Sequence, residues 1–190
     1  QGGTTLRSSD RDDLRAALIL KLSALPGTQK EADYLKGKTA EWKLAPHVFV
    51  GDAAVERTLY NVNSPKVLHL ATHGMFLKGQ PKLRKDGLSG QRKDFIGRLT
   101  NPMDRSFLTF TGATWTSTQW ELGVTPAPWN DGILTANEVG TLNLKGTWLV
   151  TMSACETGLG DLRSGEGVMG LRRAFIQAGT RNLLMTLWPV

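Results

Sequence analysis

The chain of 190 residues is 40% hydrophobic and 21% charged, a balance that suits one globular domain and excludes a disordered chain. Its apolar runs, such as Leu183–Leu187, are too short to span a bilayer, and its single cysteine excludes an intrachain disulfide and suits a reducing, cytoplasmic setting. The net charge of +6, from 23 Lys+Arg against 17 Asp+Glu, is the unusual number, and alone it hints at nucleic acid or an acidic partner.

Leu14, Leu18, Leu22 and Leu25 recur at helical spacing behind Ser9 or Asp10 as caps, and Pro26-Gly27 is expected to end that helix. Thr28-Gln-Lys-Glu31 has the form of a capping box and predicts a second short helix to about Leu35. Val48-Phe49-Val50 predicts a short strand, with a helix from about Ala53 to Tyr60. Val67-Leu-His-Leu-Ala71 is a run of the kind buried on both faces in parallel sheets.

Residues 77–105 break the pattern: they are rich in Gly, Lys and Arg, contain Pro81 and Pro102, and predict a basic irregular insertion. Residues 78–105 hold eight basic side chains against three acidic ones, a local net charge of +5, so the rest of the domain is nearly neutral. The basicity belongs to one segment, read either as a solvated loop or as a dock for an acidic substrate segment. Direct nucleic-acid binding has no fold motif behind it.

Phe107–Phe110 predicts a strand ended by Gly112, and residues 113–131, with Trp115, Trp120 and Trp129, read as another irregular stretch. Thr135-Ala-Asn-Glu138 is another capping box, on a short helix. Thr147–Met152 predicts a buried strand, with Trp148 in the core or forming a platform. An amphipathic helix follows from Ser164 or Gly165 to about Gln177, ended by Gly179, and then a strand over 182–188. Strands alternating with helices predict a single α/β domain over 1–190, a three-layer α/β/α sandwich with a mainly parallel sheet. The chain opens Gln1-Gly2-Gly3 and stops at Trp188-Pro189-Val190 straight after an expected strand, so it reads as a piece of a longer protein.

Two buried strands run into polar, glycine-bearing ends: Thr72-His73-Gly74 after the first and Ser153-Ala-Cys-Glu-Thr-Gly158 after the other. Sites in open parallel sheets form beyond the carboxyl ends of strands, so neighbouring strands would bring His73 and Cys155 face to face. A free thiol with a pKa near 8.5 is a weak nucleophile at neutral pH without a base beside it, and an imidazole can take its proton. Gly74 and Cys155 could present backbone N–H groups to a developing oxyanion. A lone cysteine at a strand end also serves as a small buried hydrophobe. His69, mid-strand, reads as a satisfied core histidine and His47 as a surface one, whereas His73 is expected in a loop.

Gly165-x-Gly167-x-x-Gly170 matches a dinucleotide fingerprint, but about ten residues separate it from the preceding strand, so its glycines read as helix-packing positions. One cysteine and three scattered histidines offer no metal-ligand cluster, and no cofactor is expected.

The segments Val67–Phe76, Asp131–Val139, Leu149–Gly160 and Gly165–Gly179, running on to Leu187–Val190, resemble the CHAT domain (caspase HetF associated with tetratricopeptide repeats). Leu25–Ala32 fits that family's opening helix, and the resemblance covers about residues 25–190 in the same order. It implies a caspase-like fold and a bacterial cysteine endopeptidase with a His/Cys dyad acting on protein substrates. Carried over by motif, His73 is the general base, Cys155 the nucleophile, and Gly74 with Cys155 the oxyanion-hole donors. It also implies tetratricopeptide-repeat or other regulatory regions N-terminal in the same chain. Family members continue past Trp-Pro-Val with an acidic stretch, a helix and more strand, so part of the substrate-binding wall lies outside this sequence. The activity of the segment alone, and a scaffold role for the same fold, therefore stay open. So does the residue preceding the cleaved bond, since Glu156 and Asp161 near the cysteine cannot be assigned to a specificity pocket.

Overall fold

The computed structural model describes residues 22–76, 102–122, 124, 127, 130–156 and 166–186. The predicted first helix up to residue 21, most of the basic insertion, and residues 187–190 lie outside them.

The chain enters through α1 (Pro26–Glu41), whose first position is proline, where a missing N–H costs nothing and φ is already helical. The expected Thr28–Glu31 capping box is not formed. Thr28 lies inside the helix, and its backbone N–H and hydroxyl both bond the Leu25 carbonyl at 3.1 and 2.8 Å. Pro26-Gly27 thus opens a helix, and residues 22–25, expected in the first helix, are not helical. No strand forms at 48–50, which leads instead into a 3-10 turn at Gly51–Ala53 and the one-turn helix α2 (Arg57–Tyr60).

Five strands make one open sheet, in order β3-β2-β1-β4-β5: β1 (Val67–Phe76), β2 (Ser106–Thr109), β3 (Ile133–Thr135), β4 (Leu149–Glu156) and β5 (Asn182–Met185). Between them run α3 (Pro102–Arg105), α4 (Ala113–Glu121), α5 (Ala136–Val139) and α6 (Glu166–Ala178). α4 regularises much of the stretch read as irregular, and α3 the end of the basic insertion. The β1–β4 and β4–β5 ladders are parallel, whereas β1–β2 and β2–β3 are antiparallel. The sheet is therefore mixed, with its longer ladders parallel and its shorter ones antiparallel. The cause is that β1 runs to Phe76 and its last three residues pair with the reversed β2.

Alternation sorts the side chains of β1 and β4 onto two faces. Even-numbered residues point into the main core: Leu70, Val150, Met152 and Ala154 pack under Leu171, Ala174, Phe175 and Ala178 of α6, with Leu108 and Leu134 from β2 and β3. Odd-numbered positions carry the polar set His69, His73, Thr151 and Ser153, and α1 lies on that side through contacts described below. Trp148, expected in the core or as a platform, precedes β4 and is 51% exposed, so it is not in the core.

Both ends of the short edge strand β3 are tied by carboxylates. Ile133 donates its N–H to Asp131 Oδ1 at 2.9 Å and Thr135 to Glu138 Oε2 at 2.8 Å, which blunts an edge that would otherwise invite pairing. The predicted Thr135–Glu138 capping box is present on α5. α6 ends as expected at Gly179, whose φ is +107°. Gly179 N–H bonds the Ile176 carbonyl and Thr180 N–H the Phe175 carbonyl, the double closure of a Schellman motif.

Candidate functional site

The parallel register between the two central strands pairs Val67 with Leu149 and runs unbroken to Gly74 with Glu156. Within it His73 is the direct partner of Cys155. Neighbouring strands lie about 4.8 Å apart, so the one thiol-bearing residue and a histidine occupy adjoining backbone positions on a rigid platform. Cys155 is the penultimate residue of β4. His73 is not in a loop: β1 continues past it for three residues to pair with β2. Thr72, beside it, donates its hydroxyl to the Thr109 carbonyl and stitches β1 to β2 where the antiparallel pairing ends.

The His73 ring is half-buried and asymmetrically engaged. Nε2 lies 2.8 Å from the main-chain carbonyl oxygen of Ser23, three residues before α1. A carbonyl only accepts, so Nε2 carries a proton in this contact, and in the neutral ring Nδ1 keeps its lone pair. Nδ1 is buried and has no hydrogen-bond partner among the described residues. A buried polar atom without a partner is rare and calls for a reason.

One layer deeper on the same face stands His69. Its Nδ1 is 2.6 Å from Thr151 Oγ1, and its Nε2 is 3.2 Å from Glu31 Oε1 of α1, close but off the line of an ideal hydrogen bond. His69 is thus partnered, as expected, but half-buried under a helix rather than enclosed in the core. His47 is exposed, as its sequence position suggested.

Gly74 is buried and sits in β1 between Leu108 on one side and Glu156 on the other. Gly167 and Gly170 of the glycine motif lie within the first turns of α6, with Gly170 buried, which fits close helix packing. Asp161 falls outside the described residues. No group of three or more His, Cys, Asp or Glu among the described residues is arranged to hold a metal ion.

Another polar cluster escaped the sequence reading. Glu56, fully buried, accepts the Gly132 N–H on Oε2 at 2.9 Å. Burial above all, then the nearby charges of Asp131 and Glu138, push its carboxyl from the ordinary 4.5 up to about 9. Tyr60 is pushed upward by the same burial and by the same acids. This cluster ties the 54–60 segment to the start of β3. Ser23 and Glu31 were also missed. Ser23 contributes only a main-chain oxygen, which no side-chain pattern can announce, and Glu31 reads in the sequence as one more helix-surface acid.

None of the described helices is long and apolar enough to cross a membrane. Comparison with curated proteins and with solved structures found no match for the chain. The family model described as the CHAT domain matches residues 3–190, nearly the whole length. The chain belongs to the CHAT domain family, which is related to the caspase-like cysteine peptidases.

Proposed function

We propose that this domain is a caspase-like cysteine endopeptidase, a three-layer α/β/α sandwich in which His73 and Cys155 form the catalytic dyad. The observation that carries it is their direct pairing across the β1–β4 ladder, with the His73 proton fixed on Nε2 and Nδ1 left as the base. In the first step the Cys155 thiol gives its proton to His73 Nδ1, and the sulfur forms a C–S bond with the peptide carbonyl carbon. As the tetrahedral intermediate collapses, the C–N bond breaks and Nδ1–H protonates the departing amine, leaving a thioester. Water, losing a proton to Nδ1, then adds to the thioester and releases the acid and the regenerated thiol. Backbone N–H groups of Gly74 and Cys155 are the proposed donors to the oxyanion. The partners are a protein substrate and regulatory regions of the same bacterial chain, with tetratricopeptide repeats as the expected kind, in a reducing cytoplasm.

The single cysteine makes the test clean. Iodoacetamide at about pH 6 should alkylate wild-type Cys155 faster than an unactivated thiol, and His73→Ala should slow it roughly ten-fold or more. Equal rates for the two proteins would reject the dyad and favour the alternative, a CHAT-fold scaffold that binds proteins without turnover. With a processed substrate in hand, Cys155→Ala should abolish cleavage.

A further inference from the structure

The proposed dyad leaves one element without a task. α1 buries none of its side chains fully, and its half-buried stripe of Leu25, Thr28, Glu31, Ala32 and Leu35 is only partly apolar. Helices usually dock by an apolar face. Among the described residues, two polar contacts join Ser23–Glu41 to the sheet: the Ser23 carbonyl on His73 Nε2 and the Glu31 carboxylate beside His69 Nε2. Both land on β1, four residues apart and on the same face, roughly 13 Å from end to end.

The stretch between the two contacts is stiff. Pro26 fixes the first helical φ, and the Leu25 carbonyl takes two bonds from Thr28, so Ser23-Ala24-Leu25 leaves the helix in one direction. Anchoring the helix at Glu31 therefore sets where the Ser23 oxygen stands. His69 is fixed in turn by Thr151 of β4, which lies on the same face as Ser153. The carboxylate of Glu31 approaches the Nε2 side of the His69 ring, while Nδ1 is in hydrogen-bond contact with the Thr151 hydroxyl.

We propose that Glu31 is a positioning residue for the dyad: by engaging His69 it holds the first turns of α1 against β1 and so keeps the Ser23 carbonyl on His73. This rests on the dyad reading above, but it makes a separate claim, that base geometry is set by a helix contact 42 residues upstream of the histidine it orients. Without the tether, the Ser23 oxygen leaves Nε2, the imidazole loses its enforced tautomer, and a fraction of molecules carries the proton on Nδ1, where it blocks proton uptake.

The test uses the whole chain with 15N-labelled histidine and three readouts: the His73 tautomer by NMR, the rate of Cys155 alkylation by iodoacetamide near pH 6, and the thermal midpoint. Glu31→Ala should give a mixed His73 tautomer and alkylation slowed by about ten-fold, with little change in midpoint, because the pair is about one-third exposed. Glu31→Gln, whose amide oxygen still accepts from His69, should return the rate to within about two-fold of wild type and restore the Nε2–H tautomer. If Glu31→Ala leaves both tautomer and rate unchanged while His73→Ala still slows alkylation, the positioning role is wrong and the dyad stands. If His73→Ala changes nothing either, the dyad itself falls.

Discussion

Glu56 shows how a single side chain can set the pH response of the fold. Its carboxyl has no exposed surface, and the backbone N–H of Gly132 is too weak a counterpart to offset that burial beside Asp131 and Glu138. The folded-state pKa of about 9 stands above the ordinary 4.5, so the native protein holds this proton through neutrality. The sign follows by linkage. A group that binds its proton more tightly when folded contributes stability fully present below pH 4.5 and lost as the pH rises through about 9. Across that window the slope approaches about 1.4 kcal/mol per pH unit for one proton. Glu56→Gln keeps an acceptor for Gly132 and supplies an N–H toward Asp131, so it imitates the protonated acid. Thermal midpoints measured from pH 5 to pH 9 should fall for wild type and stay much flatter for the variant. Parallel curves would show that Glu56 does not titrate in this window.

At the level of elements, what the sequence could reveal depended on whether a signal was local. The Thr135–Glu138 capping box and the Gly179 stop were legible because each is completed within a few residues. Thr135→Ala should cost about 1 kcal/mol in chemical denaturation, since it removes the acceptor for the Glu138 N–H and the hydroxyl donor to Glu138 Oε2. Gly179→Ala should cost about 1–3 kcal/mol: φ of +107° is hostile to an L side chain, and an added Cβ would stand 2.9 Å from Lys145 Cα. A loss below about half a kilocalorie would mean that the Lys145 turn gives way freely. The same kind of cue misled at Thr28, where a capping-box pattern was overridden by Pro26, which claims the first helical position for itself. It misled again at His73. Polar residues and a glycine after Ala71 suggest a strand's end, but the strand continues because β2 arrives from far along the chain to pair with it. The pairing of His73 with Cys155 was foreseeable only by supposing the two strands adjacent. The carbonyl of Ser23 could not be foreseen, because every residue has one.

For the whole molecule, the sheet divides labour between its faces. The even-numbered face carries the stability: Leu70, Val150, Met152 and Ala154 meet Phe175, which is fully buried, and the other inward residues of α6. The odd-numbered face carries the polar set, with both histidines, Thr151 and a helix that buries no side chain fully. In the mixed sheet β2 and β3 extend the core beyond β1, while β4 keeps the parallel register that pairs His73 with Cys155. Changes on the two faces should therefore separate in their effects. Phe175→Ala empties a ring-sized volume from the tightest part of the core and should cost about 3–5 kcal/mol, a large share of the roughly 5–15 kcal/mol that holds a domain folded. Its denaturation midpoint should drop sharply. Under conditions where the variant remains folded, its rate of Cys155 alkylation near pH 6 should stay within about two-fold of wild type, since the register that sets the dyad lies in the β1–β4 ladder itself. Denaturant curves and alkylation rates taken on one preparation decide the matter. A reactivity loss in fully folded Phe175→Ala would mean that core packing reaches through the sheet to the thiol, and that the two faces are one mechanical unit.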